Sequence, residues 1–84
     1  MPQTDVTVTS EVGLHARPAA ELIKAAAAYP CDVTIVAGER EANAKSMLSV
    51  LTLDVRCGQT ITIRTAGDRE AEALAELEAL VTSL

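Results

Sequence analysis

One aromatic side chain, Tyr29, serves the whole of this 84-residue sequence. A core must therefore be closed by Val, Leu, Ile and a great deal of Ala, which supply nearly all of the apolar half of the chain. Side chains that small suit helices lying close against a sheet and leave no room for a deep enclosed pocket. A large substrate cavity is not expected. Length points the same way. So short a chain buries a modest share of its surface and has no sequence to spare for a separate catalytic module, so one domain over residues 1–84 is expected.

The formal net charge is −5. That argues against nucleic acid as a partner, because phosphate contacts need clustered Lys and Arg. The carboxylates gather in the Asp68–Glu78 stretch, whereas Arg17, Lys24 and Lys45 lie in the first half, which hints at a mildly basic patch on an acidic protein. No N-terminal apolar run has signal-peptide length and none approaches a membrane span, so a cytoplasmic protein without direct membrane insertion is expected. Cys31 and Cys57 show neither a CxxC pairing nor metal-ligand spacing with the single histidine. Reduced thiols are the expectation in that compartment, and the sequence leaves a disulfide between them open.

Along the chain, Asp5–Thr9 alternates apolar and polar with β-branched residues, the pattern of a strand with one buried face. Gly13 marks a turn. From Ala16 to Tyr29 the composition turns Ala-rich with Leu22 and Ile23, a helix whose first turn tolerates Pro18 because that N–H has no intrahelical partner anyway. Pro30 closes it. Asp32–Ala37 is a second strand, Gly38-Glu39-Arg40 a hairpin turn, and Glu41–Ala44 a short return strand. Ser46 is placed to cap a short helix through Met47, Leu48, Leu51 and Leu53. After a loop over Asp54–Gln59, Thr60–Thr65 alternates cleanly as a strand. Gly67 breaks it, Asp68 is a natural N-cap, and Leu74, Leu77, Val81 and Leu84 recur at helical steps. Glu70 and Glu72 fall in that helix's first turn, where its dipole favours them. The order βαββαβα predicts an α+β fold, an open-faced sandwich with three helices on one face of a four-stranded antiparallel sheet and Thr side chains on the other.

The only histidine, His15, follows a glycine-containing turn and stands just before the first helix, with Arg17 two residues on. A helix N-terminus offers unpaired backbone N–H groups, here those of Ala16 and Arg17, and partial positive charge. Arg17 adds a planar donor fork suited to phosphate oxygens. An imidazole there is a nucleophile near neutral pH, since its unperturbed pKa leaves much of it uncharged. A phosphoryl group on the ring would meet all these donors at once. Taken as residues alone, the same set also fits a histidine that merely caps the helix beside a solvated arginine.

The segment Gly13-Leu-His-Ala-Arg-Pro-Ala-Ala20 resembles the active-site signature of the HPr family, the phosphocarriers of the bacterial phosphoenolpyruvate-dependent sugar phosphotransferase system. The similarity continues through Lys45-Ser-Met-Leu48, the strand at Ile61–Ile63 and the final helix, without evident insertions. It implies a single HPr-like domain in which His15 is phosphorylated through Nδ1 and Arg17 assists transfer. Enzyme I would donate the group and an Enzyme IIA domain would receive it. The chain would be a group carrier, not a free-standing enzyme. No cofactor and no metal are implied, and a monomer is expected.

Ser46 already has a local explanation as a helix cap. The resemblance adds a second one: the serine of this Lys-Ser motif is where an HPr kinase/phosphorylase regulates the carrier in many Gram-positive bacteria, with a transcriptional regulator as a further partner. It also implies that Met47 and Leu48 form an apolar docking patch to which Ala20 and Lys24 contribute, flexible Met and Leu suiting several partners. Leu51 is assigned to the core. Two departures stand out. Asp54 occupies a position where many relatives carry glycine, and Ala27 and Ser49 stand where some carry lysine.

Other readings keep the fold but change the role. A regulatory-only relative would retain the serine but usually lack the active histidine. Carriers for a nitrogen-related branch, or for a dihydroxyacetone kinase, would share the His15 chemistry with other partners. A metal- or ligand-binding domain is poorly served by one His and two distant Cys.

Overall fold

The alternating run at the start of the chain and the one near residue 60 find each other. In the computed structural model, which describes residues 2–9 and 16–83, β1 (Gln3–Thr7) pairs antiparallel with β4 (Thr60–Ala66), Val6 opposite Ile61. β2 (Asp32–Ala37) flanks β4 on its other side, Ile35 opposite Ile63, and forms a hairpin with β3 (Arg40–Asn43). The sheet is antiparallel throughout, in the order β1-β4-β2-β3. Three helices complete it: α1 (Ala16–Ala27), α2 (Met47–Thr52) and α3 (Glu70–Ser83). This is the expected βαββαβα order. The turn expected at Gly13 and the last apolar position of the final helix, Leu84, lie outside the described residues.

Alternation decides the two faces. Val6, Val33, Ile35, Ala37, Ile61 and Ile63 point inward and are buried, together with Ala19, Leu22 and Ala26 of α1 and Ala73, Leu77 and Val81 of α3. Alanines on both helices let them approach the sheet and each other closely, as the shortage of large side chains requires. The other face carries Thr7, Thr34, Thr60 and Thr62, which are exposed or half-buried. Thr62 donates to Asp5 Oδ1 at 2.6 Å, Thr7 and Thr60 share a hydrogen bond at 3.1 Å, and Arg64 pairs with Glu41 at 3.3 Å. Thr65 is the exception among the threonines of β4. It lies fully buried on the core face, and its hydroxyl donates to the Glu70 carbonyl at 2.8 Å, so the polar group is satisfied.

Several boundaries differ from the sequence expectation. β1 begins at Gln3 and ends at Thr7, two residues earlier than the alternation suggests. The inward set is nonetheless correct: Val8 is buried, and residues beyond the strand stay tied by Val8 N–H to Gln59 O at 2.9 Å. α1 ends at Ala27, and the Ala28 and Tyr29 N–H groups turn back to the Ala25 and Ala26 carbonyls. Asp68 does not cap α3. The helix starts at Glu70, whose own carboxylate accepts the Gly67 N–H at 3.0 Å, while Arg69 sits at φ +62°.

Gly67 is required here on two counts. Its φ is +126°, and a Cβ would sit 3.3 Å from both Cα and Cβ of Cys31. Gly67→Ala is expected to destabilise the fold by about 1–3 kcal/mol, since backbone strain and a close contact act together. Urea unfolding of the two proteins measures this directly, and Gly38→Ala is the control for backbone strain alone, because its Cβ would meet nothing within 4 Å at a φ of +63°.

Candidate functional site

His15 itself lies outside the described residues, so its surroundings are read from the helix it precedes. α1 opens at Ala16. Pro18 is buried in the first turn, where its ring needs no hydrogen-bond partner, and Arg17 beside it is exposed. The first turn, Ala16 to Ala19, holds no carboxylate. The contrast with α3 is informative, because Glu70 and Glu72 occupy its first turn and the Glu70 carboxylate also accepts the Gly67 N–H just ahead of the helix. Among the described residues the first turn of α1 has no acidic side chain to compensate its positive end, and it carries an added guanidinium. Chemically this arrangement can hold an anion.

α2 packs against α1. Its entry is built by two side chains. Asn43 Oδ1 accepts the Lys45 N–H at 3.0 Å, and Ser46, at φ −118° and ψ 117°, is the N-cap. The Ser46 hydroxyl oxygen accepts the Ser49 N–H at 3.4 Å, and its carbonyl accepts the Val50 N–H at 3.0 Å. The expected capping role is thus present. Met47 is 38% exposed and Leu48 75% exposed, with Ala20 and Lys24 exposed on the neighbouring helix.

Leu51 corrects the sequence assignment. It is 36% exposed and lies with Met47 and Leu48 on the outer side of α2, while Val50 and Leu53 are the buried residues of this segment. Helical spacing produces two apolar stripes here, Met47/Leu48/Leu51 and Val50/Leu53, and only packing decides between them. Lys45 also differs from a free member of a basic patch. It is half-buried, and its Nζ donates to the Tyr29 carbonyl at 2.7 Å, tying the start of α2 to the turn that ends α1.

That turn is supported from α3 as well. The Arg69 guanidinium lies 4.9 Å from the centre of the Tyr29 ring and pairs with Glu72 at 2.9 Å. Burial, and after it the nearby Glu76 carboxylate, push the Tyr29 phenol above its ordinary value, while the hydrogen bond to Glu72 raises Arg69. No signal in the sequence pointed to this cluster, since its members are contributed by separate elements. Cys31 is buried and Cys57 exposed, and both are free thiols. Among the described residues no three His, Cys, Asp or Glu side chains gather as metal ligands, and no helix is long and apolar enough to cross a membrane. Between α1 and α3 runs an open groove of about 420 Å³, lined by Glu21, Lys24, Ala25, Ala28, Glu76 and Leu80.

Comparison with known proteins agrees with this architecture along its whole length. Residues 2–83 match the model of a protein family described as the PTS HPr component phosphorylation site. The phosphocarrier protein HPr of Vibrio cholerae is 38% identical over 84 residues, covering 100% of this chain and 99% of that protein. The crystal structure of a phosphocarrier protein HPr from Bacillus anthracis superposes with a TM-score of 0.91 at 38% identity, covering 95% of each chain. Crh, the catabolite repression protein of Bacillus subtilis, superposes at 0.80 with 36% identity, covering 99% of this chain and 95% of that one, and is described as a swapped, intertwined dimer.

Proposed function

The chain belongs to the HPr family, the phosphocarriers of the phosphotransferase system, and on that premise we propose that His15 is the residue it loads. Nδ1 of His15 takes the phosphoryl group from Enzyme I. The bond from that nitrogen to phosphorus forms as the donor's bond breaks, and the reverse exchange delivers the group to an Enzyme IIA domain in sugar uptake. Backbone N–H groups of Ala16 and Arg17 and the Arg17 guanidinium hold the transferred oxygens. The observation that carries this reading is the carboxylate-free first turn of α1, with Arg17 exposed two residues after the histidine position.

Docking falls to Ala20, Lys24, Met47 and Leu48, exposed on two helices in contact. Ser46 is a second phosphorylation site in this proposal. Its hydroxyl is half-buried at the head of the docking helix, and a phosphate there brings nearly two negative charges to the edge of the patch. Partner binding then weakens without refolding. An HPr kinase/phosphorylase would write that mark and a transcriptional regulator would read it. The chain acts as one HPr-like domain and as a monomer in the cytoplasm, which sedimentation analysis of the purified protein tests.

Phosphoenolpyruvate and Enzyme I, with intact mass as the readout, test the central step. An acid-labile gain of one phosphoryl group, absent from His15→Ala, is the expected result. No gain with several Enzyme I sources and a folded protein would instead favour a regulatory module acting through Ser46 and Met47.

A further inference from the structure

The turn after α1 and the entry to α2 are locked together by groups from three elements. Past the end of α1 the Tyr29 carbonyl meets a cation, Lys45 Nζ, which donates to it at 2.7 Å. Lys45 is half-buried and stands between two fixed points. On one side Ala44 is fully buried, its N–H bound to the Val33 carbonyl of β2 at 2.9 Å. On the other side Ser46 caps α2, and its own N–H returns to the Asn43 carbonyl at 3.0 Å. An ammonium drawn this far from water loses free energy if its hydrogen bond is broken, so the chain around Lys45 is tied to the Tyr29 turn.

That turn is gripped from α3 in its own right. Tyr29 is 8% exposed, the Arg69 guanidinium lies 4.9 Å from its ring centre, and Arg69 is held by Glu72 Oε2 through Nη2 at 2.9 Å and Nε at 3.3 Å. Contacts therefore run from the first turn of α3 to the Tyr29 ring, across its carbonyl to Lys45, and into the cap of α2. The capping bond at the end of this chain, Ser49 N–H to the Ser46 hydroxyl oxygen, is long at 3.4 Å and depends on its surroundings to persist.

We propose that Lys45 is a positioning residue for Ser46: through the Tyr29 carbonyl it holds the α2 cap closed, and that grip sets how readily the Ser46 hydroxyl is released to take a phosphoryl group. This rests on the reading of Ser46 as a second phosphorylation site. In that step Ser46 Oγ bonds to the γ-phosphorus of ATP, the bond to ADP breaks, and the hydroxyl proton passes to a base on the kinase. While the Ser49 N–H engages the oxygen and the side chain stays half-buried, attack requires the cap to open first. Arg69 then acts on Ser46 from another helix, by steadying the turn that Lys45 grips.

Amide hydrogen exchange on the full chain reads the grip directly. Lys45→Met keeps the length and loses the donor. It is expected to speed exchange at Ser49 and Val50 roughly tenfold relative to Ile61 and Ile63 of the central strand β4, the scale of a lost charge-assisted hydrogen bond. Lys45→Arg retains a donor and should recover part of the protection. Arg69→Gln should speed the same two amides about two- to five-fold, the range of one cation–π contact. Phosphorylation of Ser46 by ATP and an HPr kinase/phosphorylase, read as an acid-stable gain in intact mass, should then run faster in Arg69→Gln by a similar factor, with the Lys-Ser motif untouched. Equal acceleration in α2 and β4, or unchanged exchange in Lys45→Met, would overturn the clamp. Faster exchange with an unchanged phosphorylation rate in Arg69→Gln would overturn its link to Ser46. Absence of Ser46 phosphorylation in the wild-type chain would remove the Ser46 reading and that link with it, while the exchange result still decides the clamp.

Discussion

Replacing Arg17 by alanine is expected to slow phosphoryl transfer from Enzyme I by roughly a hundredfold, the scale seen when one donor aimed at a developing anionic charge is removed. The side chain is exposed in the first turn of α1, so its loss leaves no cavity and fold stability should hardly change. Lysine at the same position restores the charge but not the bidentate fork, so Arg17→Lys should recover only part of the rate. The backbone donors of Ala16 and Arg17 persist in both variants, which is why transfer slows and does not vanish, in contrast to His15→Ala. Rapid-quench kinetics at saturating Enzyme I separates this from weakened docking. A change in KM alone would place Arg17 in the docking surface and take it out of the transfer step.

The second prediction concerns the core. Leu77 of α3 is fully buried in a core short of large side chains. Leu77→Ala is expected to cost about 3 kcal/mol, from lost burial and from a cavity that rigid neighbours fill only in part. A chain of this length has a total stability on the order of 4–12 kcal/mol, so the loss is a large fraction of the whole. In urea the midpoint should fall while the slope stays constant. Leu48→Ala is the matching control. With Leu48 75% exposed, the same chemical change should shift stability by no more than about 0.5 kcal/mol while weakening partner docking. A cost below about 1 kcal/mol at Leu77 would show that the helices collapse readily into the space.

Periodicity carried the element order and the alternation of the strands, and residue type carried the N-cap at Ser46. Those features are set by neighbours in sequence. What escaped it was set across space. Alternation named Val6 and Val8 as inward, yet the first strand is defined by its pairing with β4 from Gln3. The spacing of α2 offered two apolar stripes, and the packing of Val50 and Leu53, not any local preference, turned Leu51 outward. Asp68 had the right side chain for a cap, but the turn through Gly67 and Arg69 put Glu70 in reach of the free N–H instead. Lys45 read as a member of a basic patch, because nothing in its own segment reveals the Tyr29 carbonyl that it meets. The candidate site divides similarly. The histidine motif was visible as a run of residues, while the exposure of Met47, Leu48 and Leu51 depends on how α2 packs.

The strand order has a consequence for how the chain comes together in time. β4 sits between β1 and β2, so the earliest strand has no partner until residues 60 to 66 exist. During synthesis the β2–β3 hairpin can close by itself, but β1 and the buried sides of α1 must wait for the sheet's last strand to leave the ribosome. A chain halted in the loop before β4 would hold two of the three helices over a sheet that lacks a central strand. Such contacts between distant parts of the sequence slow folding relative to a helical bundle of the same size. The nascent chain is then exposed to proteases and chaperones for most of its translation, and assembly arrives late and nearly all at once.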